Sequence, residues 1–494
     1  MRRRDFLKSG LFGFGAFACG TAGLFAAEAE RRGLNVLWIG VDDLRCGLGC
    51  YGADHIHSPN IDGLAAKGVL FKRAYVQQAV CAASRASFLT GCRPETTTVD
   101  YPYNDYFSDD FLSTHPSLPN YFCRHGHYAR AGGKIHHGGI FDLGTQDLSG
   151  PYLSDGGGDP WWQGYALPEN RAKQEKTRKA PPYECADVPD DAYRDGRLTK
   201  VAIQYLRDAA AQRKPFFITP GFHKPHLPFC APKRYWDLYD RDEIKLAPNP
   251  DRPEGVEPDY TIATYELPHY EGGYGTDRNP VTPELAITLR HAYYACTSYI
   301  DAQVGKLLKA LDEFGFAGNT VVMLWSDHGW HLGDTGMWGK HVNYEWATRS
   351  PLIVYAPGMA GNGRASNALV EYVDMFPTLC ELTGVPRPDY LEGTSLVPLL
   401  GRPERPWKNA AFHQYPRGNK EGFAIRTDRY RYVEWRMIKG RDKGKVVLRE
   451  LYDYETDPHE EVNVAEARPD LCRRLAARLH AGWREALPQG RSDE

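Results

Sequence analysis

An α/β fold is what this sequence predicts: a mostly parallel sheet flanked by helices, with a smaller antiparallel-sheet-plus-helix subdomain at the C-terminal end. Three observations lead there. Four apolar runs end in polar residues, as strands buried on both faces of a parallel sheet do. Long helical patterns separate them. Past about residue 400 the pattern turns to short alternating segments and a closing helix. The 494 residues are enough for more than one structural unit.

The first run, NVLWIGVDD, spans Asn35 to Asp43. The second, PFFITPGFHKPH, spans Pro215 to His226, the third, NTVVMLWSDHG, Asn319 to Gly329, and the fourth, PLIVYAPG, Pro351 to Gly358. All four are read as strands of the parallel sheet. One helix is expected over 195 to 213. The clearest opens with Thr282 as N-cap, Pro283 in first position and Glu284 in the first turn, and stops at Gly315. The stretch 105 to 190 is irregular, and LSDGGGDPWWQGY within it reads as a loop. After residue 400, GFAIRTDRYRYVEWR and GKVVLRELYDYETDPHEE read as a small antiparallel sheet, closed by the helix PDLCRRLAARLHAGWREAL. The expected boundaries are 1–29 for a leader, 30–400 for the α/β domain and 401–494 for the subdomain.

The leader is read from Arg3-Arg4-Asp5-Phe6-Leu7-Lys8, a twin-arginine pattern. An apolar Gly/Ala-rich stretch follows from Leu11 to Ala27, and Ala27-Glu28-Ala29 gives a small-x-small cleavage site. The stretch is shorter than the ~20 residues that span a bilayer. An uncleaved anchor and lipid attachment at Cys19 are the alternatives. No other stretch is long and apolar enough to span, so the mature protein is expected in the periplasm or outside the cell. Lys plus Arg (60) nearly balance Asp plus Glu (63), which speaks against a general nucleic-acid or membrane-surface binder. The 11 cysteines leave an odd number once Cys19 and Cys81 are set aside. Some disulfides are open to this chain, but not a disulfide scaffold.

Ligands in such sheets sit beyond the carboxyl ends of the strands. Asp42-Asp43, His223 to His226 and Asp327-His328 all fall at such ends and are expected to converge. An acidic pair alone reads more readily as a helix or turn cap. Two acidic clusters with one histidine, and no partner cysteines, make a hard-cation site for Ca²⁺ or Mg²⁺ rather than structural zinc. Lys134, His136 and His137 in GGKIHHGG, His223, Lys224 and His226 in GFHKPHLPF, and Lys340 and His341 in MWGKHVN add cations and imidazoles. That is equipment for an anionic tetrahedral group: charge from lysine and arginine, proton transfer from histidine. Cys81 opens CAASRASFLTG, four residues before Arg85. A disulfide cysteine needs no such neighbours, whereas a nucleophile does.

Taken together, VDDLRCGLGCYG, SPNIDGLA, QQAVCAASRASFLTG, GFHKPHLPF, YIDAQVGKLLKALD, SDHGWHLG and HQYPR resemble the sulfatase family of the alkaline-phosphatase-like superfamily, and within it the iduronate-2-sulfatase group. The similarity runs from about residue 34 into the C-terminal region. It implies that a dedicated maturase oxidises Cys81 to formylglycine, whose hydrate attacks sulfur with one hydroxyl and expels sulfate through the other. Arg85 would orient and charge-stabilise it. Asp42, Asp43, Asp327 and His328, with the modified Cys81, would hold one Ca²⁺. Lys134, His226 and Lys340 would grip the sulfate and assist the leaving alcohol, and His137 would act on the diol proton. Trp330, Arg45 and Arg417 are the expected sugar contacts, an arginine suiting a uronate carboxylate. The partner is then a sulfated saccharide. Two positions depart from the pattern. Ala83 stands where the family has proline, a change that the anaerobic radical maturase accepts in related proteins. Cys92 stands where the family commonly has arginine, and Arg93 is expected to point elsewhere. Two other functions share these residues: a phosphoester or phosphonate hydrolase, and a non-catalytic sulfated-glycan binder.

Overall fold

The computed structural model describes residues 33–99, 109–137 and 164–488, except 213, 262, 263 and 277. The leader, Cys19 and all but the last two residues of the expected Gly-rich loop lie outside the described residues.

Among the described residues the central sheet has seven strands. In chain order they are β1 (Asn35–Val41), β2 (Val69–Tyr75), β3 (Tyr128–Gly133), β4 (Phe216–Phe222), β5 (Thr320–Ser326), β6 (Leu352–Tyr355) and β7 (Arg364–Glu371). Their order across the sheet is β7-β2-β6-β5-β1-β4-β3. Every pairing is parallel except those of β6. The fourth apolar run is therefore a strand, but antiparallel to its neighbours. The link from β5 to β6 carries no crossover helix, so the chain re-enters the sheet from the end at which it left. β2, β3 and β7 were not among the four expected strands. They mix charged and small residues with apolar ones, which hides the period.

The continuous apolar character of β1 follows from burial on both faces. Leu37, Ile39 and Val41 pack under α1 (Pro59–Lys67), α4 (Arg194–Ala210) and α5 (Pro283–Glu313). Val36 and Trp38 pack on the opposite side with α2 (Cys81–Thr90), α3 (Leu118–Arg124) and α6 (Met375–Thr383). Thr282 caps α5 as expected, accepting from the Leu285 N–H at 3.3 Å. The ten cysteines among the described residues are all free, so the disulfides left open by the sequence do not form there.

A second, antiparallel sheet is built from β8 (Ala411–Arg417), β9 (Lys420–Arg426), β10 (Tyr430–Met437) and β11 (Val446–Asp453), in that order, and α7 (Pro469–Ala481) packs on it. Buried ion pairs fasten it to the central sheet. Glu345 accepts from the Tyr75 hydroxyl of β2 at 2.9 Å and from the Arg431 guanidinium of β10 at 2.7 Å, with Arg426 of β9 at 3.3 Å. Burial alone would raise the Glu345 carboxyl, but Arg426, Arg431 and Arg349 outweigh it and hold the group well below the usual carboxylate range. An unfolded glutamate titrates near 4.3, so on acidification the unfolded chain takes up a proton that the folded site refuses, and stability falls. Glu345→Gln should cost roughly 3 kcal/mol at neutral pH by stripping a buried charge from its partners. Its melting temperature should also decline less steeply than the wild type's between about pH 4 and pH 2, as read by thermal scans.

Candidate active site

Parallel strands deliver their carboxyl ends to one edge of the sheet. Val41 pairs with Phe222 on one side and Ser326 on the other, so the next residues, Asp42, His223 and Asp327, emerge side by side. β3 adds Lys134 beyond Gly133. Two glycines make that approach possible: a Cβ at Gly221 would collide with the Lys134 carbonyl, and one at Gly133 (φ 72°) with the Gly221 carbonyl. β2 leads through Gln77 to Val80 into α2, whose first residue is Cys81. Small side chains at Ala82, Ala83 and Ala86 let α2 pack tightly beside Val80, Val99 and Tyr415. β8 backs this turn, the Gln414 N–H donating to the Gln77 carbonyl at 2.9 Å.

Cys81 is the meeting point. Its Sγ lies 3.3 Å from His328 Nε2 and 3.7 Å from Asp42 Oδ1, and it accepts from the Lys134 and Lys340 ammonium groups, each at 3.4 Å. Burial pushes the thiol up to about 12 against the pull of the two lysines. Burial thus works against the thiolate, the form in which a cysteine is nucleophilic. One turn on, the buried Arg85 guanidinium spans the site. It donates to Asp42 at 3.1 Å, Asp327 at 3.0 Å and the Ile135 carbonyl at 3.0 Å, and also to the Lys134 carbonyl.

Three carboxylates are gathered here with three cations, of which Arg85 and Lys340 are buried and Lys134 half-buried. Lys134 Nζ sits 2.5 Å from Asp42, and Lys340 Nζ 2.8 Å from Asp43. His328 Nε2 lies 3.4 Å from Asp43 and 3.5 Å from Asp327. One donor atom from each of Asp42, Asp43, Cys81 and His226 falls within 4.8 Å of the others, as do those of Cys81, Asp327 and His328. The donor chemistry, three carboxylates with an imidazole in each group, fits a hard divalent cation, and oxygen in place of the Cys81 sulfur would fit it better. The lysine ammonium groups already lie against Asp42 and Asp43, so these oxygens face positive charge.

His226 donates Nδ1–H to the Leu227 carbonyl at 2.7 Å, which leaves Nε2 facing the site, 3.9 Å from Asp43. Burial, then Lys340 and Lys134, hold His226 well below its ordinary value. His137 is lowered to about 3 by burial and then by Lys134 and Arg85, which also places it in the field of these cations. His223 lies 3.8 Å from Asp42, and its loop is anchored by Asp195 of α4, which accepts from the His223 and Lys224 N–H groups at 2.8 and 2.9 Å.

Two expected sugar contacts are corrected. Trp330 is 1% exposed and lies beneath the Lys340 ammonium, 5.1 Å from its ring centre, so it has no face left for a sugar. Arg45 is buried, paired to Asp334 at 2.7 Å and stacked on Trp346 at 3.5 Å. It serves the loop that carries Lys340. Arg417, at the end of β8, is half-buried and donates to the His341 carbonyl at 2.5 Å, at the rim beside Lys340. Cys92 is buried away from Cys81, its thiol facing the Thr90 and Tyr390 carbonyls. Arg93 does point elsewhere, paired to Glu371 at 2.9 and 2.7 Å. Glu266 is a site residue that the sequence did not flag. It meets Lys340 at 2.9 Å and His226 at 3.5 Å, and TYELPHYE carries no motif that would have found it.

This geometry agrees with the comparisons. The Sulfatase family model matches residues 34–385, and the model for the C-terminal region of N-sulphoglucosamine sulphohydrolase matches 333–485. Iduronate 2-sulfatase of Homo sapiens is 34% identical over 519 aligned residues, covering 89% of this chain and 92% of that protein. The phosphonate monoester hydrolase of Agrobacterium radiobacter superposes with a TM-score of 0.72 at 24% identity, over 92% of this chain and 96% of that one. A 2-O GAG sulfatase superposes at 0.65 and 23% identity, over 91% of each chain. The two superpositions speak for the alkaline-phosphatase-like fold, while the family model and the 34% identity speak for lineage. On that evidence the chain belongs to the sulfatase family, the hydrolases of sulfuric esters.

Proposed function

We propose that this protein is an exported sulfatase that removes ester sulfate from a saccharide, with exo action on a sulfated uronic acid or a polysaccharide-derived oligosaccharide. Cys81 is matured to formylglycine, and one Ca²⁺ is held by Asp42, Asp43, Asp327, His328 and residue 81. The observation that carries this reading is the seat of Cys81. It is the first residue of a helix, whose N-terminal end favours anions, and it sits among metal donors and two lysines. When present, the ion supplies charge that polarises S–O bonds, and the formylglycine hydrate supplies an attacking hydroxyl and a second one for release. The rest falls to the chain's own residues. Lys134 and Lys340 bind sulfate oxygens. Arg85 holds Asp42 and Asp327 in place and keeps their charge compensated. His226 presents Nε2 to the leaving alcohol, and neutral His137 accepts a proton from the nucleophile. Arg417 is the rim group suited to a uronate carboxylate. The 34% identity to iduronate 2-sulfatase favours a sulfated uronate, and the twin-arginine leader favours export to the periplasm or beyond. No helix among the described residues is long and apolar enough to cross a membrane.

The test is a mass spectrum of the tryptic peptide AYVQQAVCAASR, Ala74 to Arg85, from a host with both kinds of maturase. It is followed by assay on 2-O-sulfo uronate disaccharides, glucosamine 6-sulfate, galactose 4-sulfate and a phosphonate monoester. Cysteine should have lost sulfur and two hydrogens and gained oxygen. A saccharide sulfate should turn over fastest. A chelator should abolish turnover, and Ca²⁺ should restore it. Unmodified Cys81 in every host would sink the mechanism, and faster phosphonate turnover would favour the phosphoester reading.

A further inference from the structure

We propose that Glu266 is a positioning residue that sets the leaving-group side of this site by bracing His226 and Lys340 together. The inference rests on the sulfatase reading above and deepens it. Glu266 arrives from outside the strand-end cluster, just before the short turn Leu267–His269. Its carboxylate is mostly buried, at 21% exposure, and each oxygen has a different neighbour. Oε1 lies 2.9 Å from Lys340 Nζ, and Oε2 lies 3.5 Å from His226 Nε2. Asp43 approaches the same two groups from the other side, at 2.8 and 3.9 Å. Lys340 and His226 are thus held between two carboxylates.

The two carboxylates are not equivalent. Asp43 belongs to the donor cluster and would be engaged by a bound cation, whereas Glu266 lies outside that cluster and stays available to Lys340 and His226. The His226 ring is already fixed at Nδ1 by the Leu227 carbonyl. Its remaining freedom is a tilt about that bond, and a carboxylate beside Nε2 limits the tilt. Oε2 itself is buried and makes no hydrogen bond, so it acts on the ring by contact and charge. When the S–O bond to the sugar breaks, its electron pair goes to the sugar oxygen. That oxygen takes a proton from the Lys340 ammonium, which is left as a neutral amine beside Nε2 of His226. A poor leaving group such as a sugar alkoxide depends on this transfer, and small misplacement of the donor is costly. A nitrophenolate departs without a proton and does not depend on it.

The closing experiment compares wild type, Glu266→Ala and Glu266→Gln on the fastest saccharide sulfate of the panel and on 4-nitrocatechol sulfate. Formylglycine occupancy and melting temperature are measured on each preparation. Glu266→Ala should lower kcat on the saccharide sulfate by about 100-fold while the aryl sulfate stays within about threefold, with KM moving less than kcat. Glu266→Gln keeps one accepting oxygen, enough for the Lys340 contact, and should recover at least about tenfold of that loss. Equal losses on both substrates would make Glu266 merely structural and overturn the proposal, as would no loss on either. A wild type that carries formylglycine yet cleaves neither substrate would instead overturn the sulfatase reading, and the proposal with it.

Discussion

Replacing Cys81 with alanine is expected to abolish sulfate-ester hydrolysis, lowering kcat by at least about 10⁴-fold, because it removes the atom on which covalent chemistry would be built. The protein should still fold. Cys81 is small, and its Sγ is the only part lost, so the cost in stability is about 1 kcal/mol. Its removal also gives up the sulfur's contacts with His328 and two ammonium groups, which have carboxylate partners of their own. The check is steady-state turnover on the best saccharide sulfate, with circular dichroism to establish folding. Residual activity within tenfold of the wild type would remove Cys81 from the chemistry. Attention would then shift to a nucleophile such as water activated at the Asp42–Asp43–Asp327 cluster.

Arg85→Ala should be the most damaging single change to the architecture of the site. The guanidinium is 1% exposed and holds Asp42 at 3.1 Å and Asp327 at 3.0 Å. Taking it away leaves two buried carboxylates short of a cation, a loss of about 3–5 kcal/mol for a broken buried pair. The expected drop in melting temperature is on the order of 10 °C. Activity should fall by roughly 10³-fold, since α2, which carries Cys81, loses its tie to the carbonyls beyond β3. Arg85→Lys keeps the charge but cannot reach two carboxylates and the Ile135 carbonyl at once, so it should rescue less than half of the stability loss. The sharper readout is metal dependence. A divalent cation compensates the same carboxylates, so the destabilisation of Arg85→Ala should be larger in chelator than in Ca²⁺. An equal loss under both conditions would mean that Arg85 and the cation do not share those groups.

Much of the fold was legible from local pattern. The runs at 35–41, 216–222 and 320–326 are apolar on both faces, and only a covered parallel sheet asks for that. Helix α5 was legible at its start because Thr282, Pro283 and Glu284 each satisfy a separate requirement of a helix N-terminus. β2, β3 and β7 were hidden because Lys72, Arg73, Arg130, Arg364 and Asn367 interrupt their apolar pattern. The direction of β6 was hidden because a strand's polarity depends on how the chain returns to the sheet, and no residue in LIVY encodes that.

The site divides in the same way. The sequence by itself determined the chemistry on offer: hard oxygen donors at strand ends, cations in Gly- and Pro-set loops, and a cysteine opening a helix four residues before an arginine. These signals are local, because a residue type and its immediate neighbours fix what it can bind or transfer. Only the tertiary structure decided which groups are spent on one another. Arg45, Arg417 and Trp330 looked alike as sugar contacts until Asp334 claimed the first, and the ammonium of Lys340 came to rest over the third. Glu266 had no motif at all. Its meaning comes from lying 2.9 Å from Lys340, 74 residues away in the chain. Partner choice in a buried site is a matter of long-range register and of balancing charge where water cannot help, and neither is written in the spacing of residues along the chain.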